Sequence, residues 1–194
     1  MEKLVYGVGN TDGLKCRLDG KRMTPMYTLW SNMLSRCYGS KTQARQPTYR
    51  GCEVSENFKS FKFFTMWCQE QIGFGKEGYA LDKDLLVKGN KVYSEDTCVF
   101  LPKEINNALL KRDDDRGKCL IGVDFLNKQN KFRSRLNVNG ISKHLGYFKT
   151  EIEAFNAYKI AKENYLKELA EKWKDKIDTR AYNALMNYQV EITD

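Results

Sequence analysis

Five polar residues able to contact nucleic-acid bases or phosphates lie close together in the last third of the chain: Arg133, Arg135, Asn137, Ser142 and His144. Arginine and asparagine suit paired hydrogen bonds with guanine and adenine edges in the major groove, which is wide enough for a β-ribbon. The first three residues alternate with apolar ones, and side chains alternate across a pleated strand. We therefore predict one cationic face that fits a duplex. The alternative is a polar face that contacts only solvent.

The turn between the two runs sets their register. Asn139-Gly140 is a two-residue hairpin turn of the type that matches the twist of the flanking strands. A regular antiparallel ladder then places Arg135 across from His144 and Arg133 across from Gly146. His144, the only histidine in the chain, is either a phosphate or base contact or an exposed ring without a role.

A sheet and a long helix must hold this surface. Alternation of apolar and polar residues predicts three short strands. Thr150 and Glu153 form a capping box, and an apolar stripe at helical spacing follows it. We predict a three-stranded antiparallel sheet packed on one long helix, with strands over 119–125, 131–138 and 141–148 and the helix over 150–178.

The N-terminal part is predicted to be helical, with a strand pair before its last helix. Thr24 and Pro25 are an N-cap and a first helical residue, and Ser55 caps a second helix that ends at Gly73. Residues 39–51 lack periodicity and carry turn formers with bases, so they are predicted to form a basic loop. The whole chain is thus predicted to be α+β, with N-terminal helices over 25–38, 55–73 and 102–110 and strands over 80–87 and 98–101.

The composition favours a polyanionic partner. The 194 residues carry a formal net charge of +8, and hydrophobic residues make up 41%. Positive charge is concentrated in residues 15–50 and 116–149, which predicts two basic surfaces. No apolar run approaches the ~20 residues that cross a bilayer, so we expect a soluble cytoplasmic protein without a membrane partner. The six cysteines include no Cys-x-x-Cys pair and are interpreted as buried or free thiols, not metal ligands.

A charged stretch divides the chain. Residues 111–118 (KRDDDRGK) contain no apolar side chain and are typical of a linker. We therefore predict two domains, residues 1–112 and residues 113–194. The aspartates of the stretch could bind a cation, although like charges in a linker are usually solvated: Asp113, Asp114 and Asp115.

Several short motifs follow one another between about residues 120 and 170: Ile121-Gly122-Val123, Lys131-Phe132, His144-Leu145-Gly146-Tyr147-Phe148, Glu151, Glu153-Ala154 and Ala157-Tyr158. In these motifs the chain resembles the Apetala/ethylene-response-factor DNA-binding domain. The resemblance implies that the exposed sheet face lies in the major groove, with contacts from Arg133, Arg135, Asn137, Ser142, His144 and Tyr147. That family presents arginines in the first strand, where this chain has Ile121, Asp124 and Leu126, so no sequence preference is carried over.

The central segment, residues 79–109, has the order strand, strand, helix. Together with an upstream Tyr27-x-x-Trp30-x-x-Met33 pattern, it resembles the HNH-type segment of bacteriophage homing-endonuclease-like proteins, many of which carry a C-terminal Apetala-type domain. Such enzymes use one divalent metal ion and a histidine that activates water. Here the segment opens with Leu81-Asp82-Lys83-Asp84, with lysine in the place of that histidine. The resemblance implies catalytic roles for Asp82, Lys83 and Asp84.

The same resemblance implies a magnesium site. Carboxylate and amide oxygens are hard ligands that suit Mg²⁺. The implied ligands are Asp82, Asp84, Asn90 and Asn106 or Asn107. The alternative interpretation is that the two aspartates cap and salt-bridge around a turn, and that the asparagines of the following helix belong to its ordinary surface.

Two functions remain open at this point. One is a double-stranded DNA-binding protein of phage HNH homing-endonuclease type that nicks or cuts DNA. The other keeps the binding without the chemistry, as a DNA-binding regulator or as a phage factor that inhibits a host protein. Binding to a membrane surface is less favoured, because the long helix carries charges of mixed sign. Besides the residues named for the sheet face, we predict DNA contacts from Lys143, Arg36, Arg45 and Arg50.

Overall fold

The structure is a computed structural model that describes residues 4–110 and 118–194. The predicted α+β class is confirmed, with a three-stranded antiparallel sheet packed on a long helix. The chain divides into two compact units, Met1–Glu77 with Leu81–Phe100 and Gly78–Ala80 with Leu101–Asp194. Except for Lys118, the predicted linker lies outside the described residues, and so do its aspartates Asp113, Asp114 and Asp115.

Residues 4–110 and 118–194 contain seven α-helices and seven strands with the following bounds. The helices are α1 Pro25–Tyr38, α2 Ser40–Arg45, α3 Glu56–Lys59, α4 Phe61–Glu70, α5 Lys103–Leu109, α6 Glu151–Trp173 and α7 Thr179–Met186. The strands are β1 Glu53–Val54, β2 Tyr79–Asp82, β3 Val92–Tyr93, β4 Val99–Pro102, β5 Val123–Leu126, β6 Lys131–Val138 and β7 Ile141–Phe148. β1 pairs with β3 in parallel, β2 pairs with β4, and β5, β6 and β7 form the antiparallel sheet. None of the helices in the described ranges is long and apolar enough to span a membrane.

Aromatic side chains form the core of the first unit. The indole N–H of Trp30 on α1 donates to the carbonyl oxygen of Phe58 at 2.7 Å. The rings of Phe58 and Trp67 lie 4.8 Å apart, and those of Trp30 and Phe61 lie 5.0 Å apart. The buried aromatic side chains of α3 and α4 therefore belong to the core. α1 begins at Pro25 after the cap Thr24, as predicted.

Two N-terminal predictions are wrong. The predicted helix from Ser55 to Gly73 is interrupted at Ser60, whose hydroxyl caps α4 by accepting from the N–H of Phe63. The N–H of Phe61 donates instead to Asn10, so a tertiary contact competes with helix continuation. The predicted basic loop 39–51 contains α2 and a 3₁₀ turn, which formed although the segment shows no hydrophobic periodicity.

The first strand of the central pair is shorter than predicted, whereas the second has the predicted length and is shifted by one residue. β2 ends at Asp82, whose carboxylate turns the chain by accepting from the N–H groups of Asp84 and Leu85. The short parallel strands β1 and β3 were not predicted, because two-residue strands leave no periodic pattern. The predicted strand pair is present as β2 and β4 and is followed by α5, but the short strand β3 lies between its members in the chain.

In the second unit, the sheet packs on α6. The helix begins with the predicted capping box of Thr150 and Glu153. β5 begins at Val123, later than predicted, because Gly122 adopts a φ of +75° beneath the ring of Tyr158. A side chain at Gly122 would overlap that ring, so only glycine fits this approach.

Candidate nucleic-acid interface

The hairpin turn has the predicted geometry. Asn139 and Gly140 have φ values of 52° and 85°, as a type I′ turn requires. The side chain of Asn137 accepts from the N–H of Gly140 at 2.8 Å. Four residues further along the ladder, the predicted pairing of Arg135 with His144 is confirmed.

A β-bulge then changes the register. β7 carries the extra residue Leu145 after His144, so Arg133 pairs with Tyr147. The predicted pairing of Arg133 with Gly146 is therefore wrong. A regular strand would have put Tyr147 on the side opposite His144, because side chains alternate. The bulge puts both rings on one side, with their centres 4.5 Å apart.

We call the side of this sheet that turns away from α6 the outer face. Most side chains on the opposite side are apolar, and Val123 and Leu136 are buried there. Cations outnumber carboxylates on the outer face. Its charged and polar residues, taken from the register of the three strands, are Asp124, Lys131, Arg133, Arg135, Asn137, Ser142, His144 and Tyr147.

Asp124 holds both arginines of the outer face. Its Oδ2 accepts from Nε of Arg133 at 2.9 Å and lies 2.6 Å from Nη2, while its Oδ1 accepts from Nε of Arg135 at 2.8 Å. The side chains of Asp124, Arg133 and Arg135 are 30%, 29% and 46% exposed, so water screens these ion pairs. The Nη groups of Arg135 and the Nη1 group of Arg133 have no partner among the described residues. The carboxylate therefore orients both guanidiniums and leaves their outer N–H groups available.

Glu104 on α5 holds the tip of the hairpin. Its carboxylate accepts from Nζ of Lys172 at 2.8 and 2.7 Å, from the indole N–H of Trp173 at 2.9 Å and from Nδ2 of Asn139 at 3.3 Å. The hydroxyl of Tyr165 donates to Oδ1 of the same Asn139 at 3.1 Å. Burial opposes ionisation, but these hydrogen bonds, that of Lys172 foremost, hold the pKa of Glu104 below its ordinary value. The outer face thus belongs to a hairpin whose tip is attached to α5 and α6.

Lys143 lies on the other side of the sheet. Its register partner is Leu136, whose side chain is buried. Its neighbour His144 pairs with Arg135 on the outer face, so Lys143 must point the opposite way. The structure therefore places Lys143 on the side of the sheet opposite to the other predicted DNA contacts of β6 and β7.

Three arginines of the first unit were predicted to contact DNA, and their surroundings differ. Arg36 is half-buried, and its guanidinium carbon lies 5.4 Å from the ring centre of Tyr49. Arg45 and Arg50 are exposed. Arg36 therefore packs within the unit, whereas the other two arginines face solvent.

The central turn is organised around Lys83. Its side chain is almost fully buried, and Nζ forms an ion pair with Asp84 and donates to the carbonyl oxygen of Asn90 at 2.8 Å. The same ammonium lies 5.6 Å from the ring centre of Tyr93. A protein cation thus occupies the position beside the Asp84 carboxylate.

Asp82 serves as a turn cap. Its Oδ1 accepts from the N–H groups of Asp84 and Leu85 at 3.0 and 2.8 Å. Burial raises the pKa of Asp82, and the charge of Asp84 adds to this effect. The contacts match the alternative interpretation, in which the aspartates cap and salt-bridge around a turn.

Of the asparagines in the predicted metal set, Asn90 is held by main-chain groups. Nδ2 of Asn90 donates to the carbonyl oxygens of Lys83 and Val92 at 2.8 and 2.6 Å, and its Oδ1 accepts from the N–H of Val92. Asn106 and Asn107 lie on α5, in the second unit. Within residues 4–110 and 118–194, no group of three or more histidine, cysteine, aspartate or glutamate residues could hold a metal ion.

The six cysteines are all free thiols. Cys37, Cys52, Cys68 and Cys98 are buried. Burial raises the pKa of Cys37 and of Cys98 to about 12, so neither is a reactive thiolate near neutral pH.

No family model, curated protein or solved structure matches this chain. The two resemblances that the sequence motifs carry therefore remain expectations. Function is inferred from the residues of the outer face and of the central turn.

Two acidic residues of the interface were not predicted as part of it. Asp124 lies directly across from Arg133, so the register of β5 against β6 would have identified the pair. Glu104 is separated from Lys172 by 68 positions, and no local pattern signals such a contact.

Proposed function

We propose that the protein binds double-stranded DNA through the outer face of its C-terminal sheet. The observation that carries the proposal is the pair of guanidiniums that Asp124 holds, whose outer N–H groups have no partner in the part of the chain that the structure describes. An arginine held at Nε keeps an N–H pair on its Nη atoms, and such a pair suits O6 and N7 of guanine or two phosphate oxygens. A two-stranded ribbon such as β6 and β7 also fits the width of the major groove.

Neighbouring side chains extend this surface. Asn137 uses its Oδ1 on Gly140, which keeps Nδ2 as a donor beside Arg135. His144 and Tyr147 add an aromatic pair, in which Tyr147 is 49% exposed. The mixture of oriented donors and exposed rings is suited to base edges and sugars as well as to phosphates.

We propose further that the central segment does not cleave DNA. Metal-assisted hydrolysis needs a divalent cation at the carboxylates and a base that takes a proton from water. At the position of the expected histidine, the ammonium of Lys83 is already bound to Asp84, and it would repel a divalent cation placed there. Oδ1 of Asp82 accepts two main-chain N–H groups, so this carboxylate is already held as the cap of a turn. This supports the second hypothesis, a DNA-binding protein without nuclease chemistry.

Binding is tested by the salt dependence of affinity for a fluorescent mixed-sequence duplex of about 25 base pairs. Each lost phosphate contact lowers the slope of log K against log salt by about 0.9. We expect the double variant Arg133→Ala with Arg135→Ala to bind the duplex more weakly. Its slope should be smaller by the amount expected for one or two lost phosphate contacts, about 0.9 each. Lys167→Ala, a charge change on the exposed side of α6, is the control and should leave the slope unchanged. Equal slopes for the double variant and the wild type would remove the outer face from the proposal.

Cleavage is tested with supercoiled plasmid in Mg²⁺ and Mn²⁺. We expect no nicking by the wild type above the level of Asp82→Ala with Asp84→Ala. Nicking that depends on the divalent cation and disappears in this double variant would contradict the hypothesis of a non-catalytic protein. It would support the endonuclease hypothesis instead.

A further inference from the structure

A cavity of about 410 Å³ lies within the second unit, between α5, the hairpin tip and α6. This volume is within the range of about 300–1,000 Å³ that is usual for small-molecule sites. Apolar and aromatic groups line it together with amides: Ala108, Leu136, Tyr158, Tyr165, Asn107 and Asn139. The cavity also reaches the hairpin, where Arg135 and Asn137 of the outer face are among its lining residues.

One wall of the cavity carries a buried cation. Lys162 on α6 is 8% exposed, and its Nζ donates to the carbonyl oxygen of Ala108. In the part of the chain that the structure describes, this is its one hydrogen bond, although an ammonium has three N–H groups. Buried charges in proteins are normally paired with an opposite charge.

The acidic residue of the cavity wall does not supply that charge. Glu104 lines the cavity but forms its ion pair with Lys172 and accepts from Trp173 and Asn139. No salt bridge joins Lys162 to any carboxylate of the described residues. Burial lowers the pKa of Lys162 to about 8, which still leaves the amine mostly protonated at neutral pH. The cavity therefore combines an apolar body with a buried ammonium that forms no salt bridge within residues 4–110 and 118–194, whereas Arg135, the other cation that lines it, is paired with Asp124.

We propose that this cavity binds a small organic anion. A carboxylate, sulfonate or phosphate group would pair with Nζ of Lys162, and a flat apolar body would lie against Tyr158 and Leu136. Asn107, exposed at the edge, adds a side-chain amide for a second polar group of the ligand. The site would make the DNA-binding unit a receptor for a metabolite-sized anion, and it does not depend on DNA binding.

The first test is a fluorescence titration with 1-anilinonaphthalene-8-sulfonate, an aromatic anion small enough for the cavity. We expect saturable binding of one probe per chain, and at least tenfold weaker binding by Lys162→Met, which keeps the length of the side chain without the charge. Lys167→Met, five residues further along on the exposed side of α6, is the matched control and should bind as the wild type does. Circular dichroism establishes that each variant is folded.

Competition identifies the class of anion. Benzoate and phenyl phosphate should both displace the probe. Stronger competition by benzoate would indicate a carboxylate ligand, and stronger competition by phenyl phosphate would indicate a phosphate ligand. Inorganic phosphate should compete at least tenfold less well than either, because it lacks the apolar body. Probe binding by Lys162→Met as tight as that of the wild type would overturn the proposal, and so would multiple equivalent probe sites.

A second measurement uses the wild-type protein alone, in case Lys162→Met does not fold. The Cε signal of Lys162 in a carbon-13 spectrum reports its protonation. Benzoate should move the titration of this signal to higher pH, because the bound anion favours the ammonium form. An unchanged titration at saturating benzoate would refute the site.

Discussion

Asp124→Asn tests the electrostatics of the outer face without removing a donor. In the free protein the carboxylate neutralises one of the two guanidiniums that it holds. A phosphate bound to the far side of either guanidinium would lie on the order of 7 Å from this carboxylate, and two unit charges at that separation in water interact by about 0.6 kcal/mol. Removal of that repulsion predicts about threefold tighter binding to a mixed-sequence duplex at low salt. The gain should shrink as salt increases, because the Debye length falls from about 10 Å at 0.1 M to about 3 Å at 1 M.

The assay is fluorescence anisotropy with a mixed-sequence duplex between 50 mM and 300 mM salt. Asp175→Asn is the matched control, because it makes the same charge change at an exposed position after α6. If both variants change the affinity equally, Asp124 is not close to the phosphates. If Asp124→Asn is folded and binds more weakly than the wild type, the reasoning about repulsion is wrong.

Three further predictions concern stability. Gly122→Ala should lower the free energy of unfolding by about 3 kcal/mol in a urea titration, because it adds a Cβ at positive φ against the ring of Tyr158; a loss below 1 kcal/mol would contradict this packing. Trp30→Phe should cost about 2 kcal/mol in the same titration, because it removes the 2.7 Å hydrogen bond to Phe58 and leaves a gap in the core; an unchanged midpoint would count against that bond. Lys162→Met should be more stable than the wild type at pH 7, and the difference should shrink by about 2 kcal/mol on going to pH 10.

The sign of the last prediction follows from the pKa of Lys162. Below about pH 8 the folded and the unfolded chain both carry the proton, so the cost of burying the charge is fully present. Between about pH 8 and the unfolded value near 10.4, the unfolded chain binds more protons than the folded one, so this group's contribution to stability rises with pH. Buried cysteines and tyrosines oppose this trend in both proteins, which is why the difference between the variant and the wild type is measured. A difference that does not depend on pH would mean that the pKa of Lys162 is not lowered.

The elements that the sequence predicted well are those with strong local signals. Thr24-Pro25 begins α1, the capping box begins α6, and Asn139-Gly140 closes the hairpin. The elements that were wrong depend on distant contacts. The helix break at Ser60 involves Asn10 and Asp12, about 50 positions away, and no local pattern contains that information.

The interface shows the same division. Side-chain alternation predicted that Arg133 and Arg135 share a face, and the turn predicted Arg135 opposite His144. The bulge at Leu145 could not be predicted from alternation, because it breaks the rule on which the prediction rests. The central turn was open to two interpretations, since the same aspartates can bind a metal or cap a turn. Only the position of the Lys83 ammonium distinguishes them.

The most direct test of the central claim is a nitrogen-15 NMR titration of the protein with a duplex, observing the side-chain Nε–H signals of the arginines. The account predicts that the signals of Arg133 and Arg135 shift or broaden together with the amides of β6 and β7. Arg180, which is paired with Asp178 at the start of α7, should remain unchanged. A duplex that binds while the signals of Arg133 and Arg135 stay in place would contradict the claim that the outer face is the DNA-binding surface.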